Sequence, residues 1–408
     1  MRVVVVGGGI AGLAAARRLE SLVTDAEIVL VERDGVLGGK IRTEHVDGFV
    51  VEAAPDSFLT RKERGVALCE ELGLSGELIA RRPEHRGSFV RHGDHLHPLP
   101  EGLTGMIPTS LDALEASELL SAEGKARFAA EPGVPPGSGD ADESVGAFVS
   151  RRFGREAYEA LVEPLLTGIY GGDGDQLSLQ ATFPQLRTIE LEHGSLLRGL
   201  SAPVTDRPPF VSLRGGMGVL VDAIAADLAR TEVRSGCTAT SLQRREAGFG
   251  VALADGVTLE ADGVVLATPA FVTAQLVADL DGELARAHAD IPYASSAVVT
   301  LAFSRAEVVP LDGYGYVVPR AAGSDGLACT WSSQKWEHRA SEESVLLRVY
   351  AGLFGGRDVT ADTDDELVAL ARDELTFLGV SAKPLLSRVH RWPLGMPQYV
   401  LGHLVRVG

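Results

Sequence analysis

Cysteine is scarce. Cys69, Cys237 and Cys329 are the only three in 408 residues and lie far apart, which excludes a disulfide framework and a paired-cysteine zinc site. A cytoplasmic, reducing setting is the expectation. Long apolar runs are missing too: once glycines and charges are counted, no stretch nears the ~18 residues of a spanning helix. Basic residues are in deficit, 38 against 56 acidic, for a net charge of −18. Nucleic acid is therefore excluded as a partner, because its phosphates demand a basic face, and any anionic ligand needs a local cluster of cations. No Ser-His-Asp or paired-carboxylate constellation stands out, and no internal repeat is found.

What is present is an ordinary globular composition, 45% apolar and 23% charged, in a chain long enough for roughly two or three domains. The stretch "VVVVGGGIAGLAAARRL" admits two readings, a secretory signal or a dinucleotide seat. A signal is followed by unrelated sequence, whereas here the pattern continues. Val3–Val6 read as a buried strand, Gly7, Gly9 and Gly12 give G-x-G-x-x-G, "LAAARRLE" reads as a helix, and "EIVLVE" ends a second strand at Glu32. Gly7 permits the turn, Gly9 admits a pyrophosphate and Gly12 lets helix and strand pack closely. The amides of Gly7, Gly8, Gly9, Ile10, Ala11 and Gly12 are then the expected diphosphate seat, and Glu32 the acceptor for ribose hydroxyls.

Beyond Glu32, "RDGVLGGKIRT" places Gly38, Gly39, Lys40, Arg42 and Thr43. An acid followed at this spacing by Gly-Gly and Thr resembles the second FAD signature of the flavoproteins that include amine oxidases, phytoene desaturases and protoporphyrinogen oxidases. FAD is the implied cofactor; a surface Gly-Gly turn with solvated Lys and Arg is the alternative.

Further along, Asp47-Gly48, Gly93-Asp94 and Asp255-Gly256 mark hairpin turns. "ERGVALCEELGL" reads as an amphipathic helix. The segment from Leu111 to about Tyr170 is mostly helical, with "EPGVPPGSGDADES" an exposed loop, and "LRGGMGVLVDAIAADLAR" is a glycine turn entering a helix. The expected fold class is α/β: a discontinuous Rossmann-like FAD-binding domain (1–58, 205–270, 385–408), a mixed-sheet substrate domain (59–95, 271–384) and a helical insertion (96–204).

Six segments narrow the resemblance: "PDSFLTRK", "LHPLP", "EPLLTGIYGGDGDQLSLQATFP", "LRGGMGVL", "CTWSSQKW" and "RWPLGMPQYVLGH". They are similar, in order and over essentially the whole chain, to the bacterial oxygen-dependent porphyrinogen oxidases, especially the soluble branch resembling coproporphyrinogen III oxidase. The resemblance implies FAD- and oxygen-dependent oxidation of coproporphyrinogen III to coproporphyrin III in haem biosynthesis. Protoporphyrinogen IX is the rival substrate. A more distant rival is an amine or carotenoid oxidoreductase that shares only the FAD signatures. A non-catalytic porphyrin- or partner-binding relative, docking on ferrochelatase, is the rival from a different class. Two departures are visible. Ala54 stands where the family has glycine, and the family continues past "MPQY…GH" with a further FAD-contacting segment, so a fragment or weakened FAD retention is expected.

Carried over by resemblance, Lys62 lies near a substrate propionate with Arg61 beside it, the alternative being solvated charges with Arg64. Ala54, Pro55, Asp56 and Ser57 lie beside the isoalloxazine, Glu32 and Arg33 at the ribose, and Gly39 with Lys40 at the pyrophosphate. Ala239 offers backbone to the adenine, and Trp392 lies near the flavin or packs in the core. His92, His95 and His97 read as a surface hairpin and not a metal site. Trp331 and Trp336 read as packing residues. Arg151, Arg152 and Arg155 beside an apolar face suggest either a peripheral membrane contact or a solvated helix.

Overall fold

Four consecutive valines have the branched side chains that favour extended backbone. In the computed structural model, which describes residues 1–104, 106–139, 141–200 and 207–408, they form the strand β1, Arg2–Val6. The helix α1, Ile10–Leu22, and the strand β2, Glu27–Val31, complete a βαβ unit. The parallel sheet runs Thr231–Arg234, β2, β1, Gly263–Leu266. Val4 and Val5 are fully buried, as are Ile28 and Val29, because both faces of a parallel sheet are covered. Val5, Ile28 and Leu30 pack with Leu13, Leu220 and Ile224 from two helices. Val4, Val6, Val29 and Val31 pack on the antiparallel strands 239–244, 249–253 and 258–261.

The chain divides into two compact units. One comprises Met1–Arg81 with Arg207–Ile291, the other Arg82–Asp206 with Pro292–Gly408. These divisions differ from the expected ones. Residues 59–81 join the first unit because Phe58–Leu59 and Leu78–Ala80 flank the strand Phe210–Leu213. Residues 385–408 join the second because Leu386–Pro397 pairs along Tyr293–Ser304. The expected boundary at 204–205 lies outside the described residues.

The second unit holds a seven-stranded mixed sheet whose one parallel pairing joins Gly315–Val317 to Phe89–His92. Alternate residues such as Val299, Leu301, Leu347 and Val349 pack beneath Leu367 and Ala371 of the helix Asp364–Asp373. The helical segment builds its own core around Phe128, Phe148 and Phe153. The loop read as exposed begins with Glu131, which is fully buried.

The arginines read as either a membrane-facing or a solvated helix face are engaged by the chain itself. Arg152, fully buried, donates from Nε to Glu131 at 2.7 Å. Arg151 pairs with Glu143 and Glu190, and Arg155 with Glu159 and Asp175. Their charges are met by carboxylates of the chain itself. Among the described residues no helix is long and apolar enough to cross a membrane.

Candidate functional site

The carboxyl ends of the parallel strands gather most of the expected cofactor residues, the place where open α/β sheets bind ligands. Gly7 takes φ +109°, and a Cβ there would stand 2.6 Å from the Ala267 carbonyl oxygen. At Gly12 a Cβ would stand 1.8 Å from the Gly7 oxygen. Both glycines are thus demanded by the fold. Gly9 differs: a Cβ there would meet nothing nearer than Gly39 Cα at 3.9 Å. Its backbone, φ −72° and ψ 177°, suits any residue.

The amides of the turn divide in the same way. Gly7 donates to Val31 O at 2.8 Å and Gly8 to Glu32 Oε2 at 2.5 Å, so these two serve the chain. Those of Gly9, Ala11 and Gly12 meet no acceptor among the described residues, and Gly9 supplies no side-chain cap to α1. An open helix amino end carries unpaired N–H groups and partial positive charge, the requirements of a diphosphate.

The second glycine-rich turn makes the contrast. The helix Gly218–Asp227 is capped by the hairpin Thr43–Val46/Phe49–Glu52. Buried Glu52 accepts from Met217 N at 2.7 Å, and Thr43 Oγ1 accepts from Gly218 N at 2.8 Å. Of these two glycine-rich turns, the first leaves amides for a ligand and the second does not. Glu52 and Thr43 carry no signal of this role in the sequence, because the cap joins segments far apart in the chain.

Around the open end, Glu32 also accepts from Asp34 N at 2.7 Å. A carboxylate has about four acceptor sites, so capacity is left for ribose hydroxyls. Gly38 and Gly39 both have positive φ, and Gly39 lies against Gly9. Lys40 is exposed as a residue, yet surrounding protein desolvates its ammonium and lowers its pKa. No carboxylate among the described residues is paired with it. Arg33 is largely exposed beside Asp34. Ala239 begins the strand Ala239–Arg244, and Cys237 N, two residues earlier, donates to Glu32 O at 2.8 Å. A site with an open helix end, a clear glycine floor, an acid for hydroxyls and an unpaired cation fits a dinucleotide such as FAD.

The remaining expected residues fall into three groups. Ala54, Pro55, Asp56 and Ser57 follow the hairpin. Asp56 is buried, its side chain accepting from Ser57 Oγ at 2.7 Å and its carbonyl from Ser212 Oγ at 2.6 Å. Arg61 and Lys62 are exposed on the rim of a cavity of about 570 Å³, with Ile10, Ile41, Phe58, Leu68, Met217 and Leu220 as its apolar lining. Arg64 joins that rim. Trp392 lies in the second unit, half-buried and opposite Ser296. Trp331 and Trp336 are buried there. His92 and His95 face each other across the hairpin, with His97 3.4 Å from Glu118.

Comparison with known proteins agrees with this geometry. The family described as "Flavin containing amine oxidoreductase" matches residues 10–403. The coproporphyrinogen III oxidase of Bacillus subtilis (strain 168) is 35% identical over 422 residues, covering 99% of this chain and 89% of that protein. The chloroplastic protoporphyrinogen oxidase 1 of Arabidopsis thaliana is 30% identical, covering 98% and 79%. A crystal structure from Exiguobacterium sp. superposes with a TM-score of 0.88 at 34% identity, covering 100% of this chain and 89% of that one.

Proposed function

This chain belongs to the flavin containing amine oxidoreductase family, and on that premise we propose that it is an FAD-dependent enzyme oxidising coproporphyrinogen III to coproporphyrin III with oxygen. FAD, when bound at these residues, would supply two-electron redox chemistry, with oxygen as the final acceptor and peroxide as its product.

The chain's own residues bind and orient. The amides of Gly9, Ala11 and Gly12 hold the diphosphate, with Ile10 and the floor of Gly39 shaping its approach and the Lys40 ammonium balancing its charge. Glu32, beside Arg33, takes the ribose hydroxyls with its spare acceptor sites, and Ala239 offers backbone to the adenine. Gly7 and Gly8 hold the turn itself. Ala54, Pro55, Asp56 and Ser57 border the isoalloxazine, with the Asp56 backbone held by Ser212. Arg61 and Lys62 provide the positive charge that an anionic substrate needs on a protein of net charge −18.

The observation that carries the reading is the open amino end of α1, set against the closed one at Met217. Purified protein supplied with FAD, oxygen and coproporphyrinogen III should form fluorescent porphyrin and peroxide. If FAD binds and no porphyrin appears above the spontaneous rate, the reading fails. The likeness to the Arabidopsis protein favours protoporphyrinogen IX as the second substrate to assay, and relative kcat/KM decides between them. A contact with ferrochelatase, which consumes such a product, belongs to the same proposal, as does a cytoplasmic location, supported by three unpaired cysteines.

A further inference from the structure

In the first unit arginines are commonly paired: Arg17 with Glu71 and Asp227, Arg42 with Asp34, Arg234 with Glu232. Arg61, Lys62 and Arg64 break that pattern. Among the described residues none of the three has a side-chain partner, and Glu63 is the only acid lining their cavity. They also stand at the amino end of the helix Glu63–Glu71, where the helix dipole disfavours cations. Lys62, the N-cap, gives no side-chain cap. Three like charges and a partial positive charge therefore crowd one rim of a strongly acidic chain. All three are exposed, an anionic ligand would offset their charge, and the apolar lining by Phe58, Leu68 and Leu220 suits a ligand that is apolar between its anionic ends.

We infer that Arg61, Lys62 and Arg64 together read the number of carboxylates on the tetrapyrrole, with Arg64 the discriminating residue. This rests on the porphyrinogen reading above. Coproporphyrinogen III bears propionates at two positions where protoporphyrinogen IX bears vinyls. Lys62 satisfies a propionate common to both. The planar Arg64 fork, set in the first helical turn, takes a further carboxylate in two parallel hydrogen bonds, and it meets nothing complementary in a vinyl.

The test compares the FAD-loaded parent with Arg64→Gln and Glu63→Gln on both porphyrinogens. Arg64→Gln should lower kcat/KM for coproporphyrinogen III by roughly tenfold more than for protoporphyrinogen IX, through KM and with kcat little altered. Glu63→Gln should move the ratio the other way. An equal fall on both substrates, or an unchanged ratio in a variant whose thermal midpoint matches the parent, overturns the inference and leaves the porphyrinogen reading standing. If the parent oxidises neither substrate, that reading fails by itself. The inference is then judged by fluorescence titration with coproporphyrin III and protoporphyrin IX: loss of preference for the former in Arg64→Gln upholds it, and an unaltered preference sinks it.

Discussion

Gly38 donates its backbone N–H to the carbonyl of Gly8 at 2.8 Å, so the two glycine signatures, separate in sequence, form one continuous backbone surface. Gly9 and Gly39 meet on that surface with no side chain between them. Substitutions there separate binding from folding.

A methyl at Gly9 meets only ordinary contacts and an allowed backbone, yet on the reading above it occupies space the diphosphate needs. Gly9→Ala is expected to keep the parent's thermal midpoint and to lose at least about tenfold in FAD affinity. Flavin fluorescence titration beside a thermal melt measures both.

At Gly12 the same change drives a methyl into the Gly7 carbonyl oxygen. Overpacking of this kind costs about 1–3 kcal/mol or more. Gly12→Ala should therefore show a lower urea midpoint even without FAD, and an unchanged midpoint would mean that α1 shifts freely on its strand.

How much of this was legible follows from the range of each signal. The β1–α1–β2 frame is written in local periodicity and adjacent glycines, and the hairpin at Asp47-Gly48 in the positive φ that both residues adopt. Contacts between distant segments leave no such trace. Glu52 caps Met217 from a hairpin far upstream. Leu386–Pro397 belongs to the second unit because its partner is Tyr293–Ser304. Glu131 reads as part of a Pro- and Gly-rich exposed loop until Arg152, Ser195 and the Leu196 amide are seen around it. The spacing of Arg151, Arg152 and Arg155 indicates a helix face, but it cannot locate their carboxylates.

That buried pair yields a stability prediction. Glu131 and Arg152 are both fully buried, and Glu131 also accepts from Ser195 Oγ at 2.5 Å. Arg152→Ala removes the guanidinium and strands a carboxylate, which costs about 3–5 kcal/mol when a buried pair loses one partner. The double variant with Glu131→Gln should recover part of that loss. Urea unfolding of the parent, the two single variants and the double variant gives the coupling directly.

Glu163 supplies the pH dependence. It is 5% exposed, with Oε1 accepting from Thr167 Oγ1 at 2.7 Å and Oε2 from Arg320 N at 3.1 Å. Burial raises its pKa above the ordinary carboxylate value, against the opposing pull of the Thr167 and Arg320 contacts, and Asp173 adds to the rise. The folded chain therefore holds a proton over a window in which the unfolded chain has released it. Stability falls as pH climbs from the ordinary glutamate value, about 4.3, to the raised one, and stays reduced above it. Glu163→Gln keeps an acceptor for the Arg320 amide and removes the charge. Its stability relative to the parent should grow across that window and then level off. Urea midpoints of both proteins from acid to neutral pH test the sign: a relative stability that declines with pH would mean that Thr167 and Arg320 stabilise the carboxylate by more than burial penalises it.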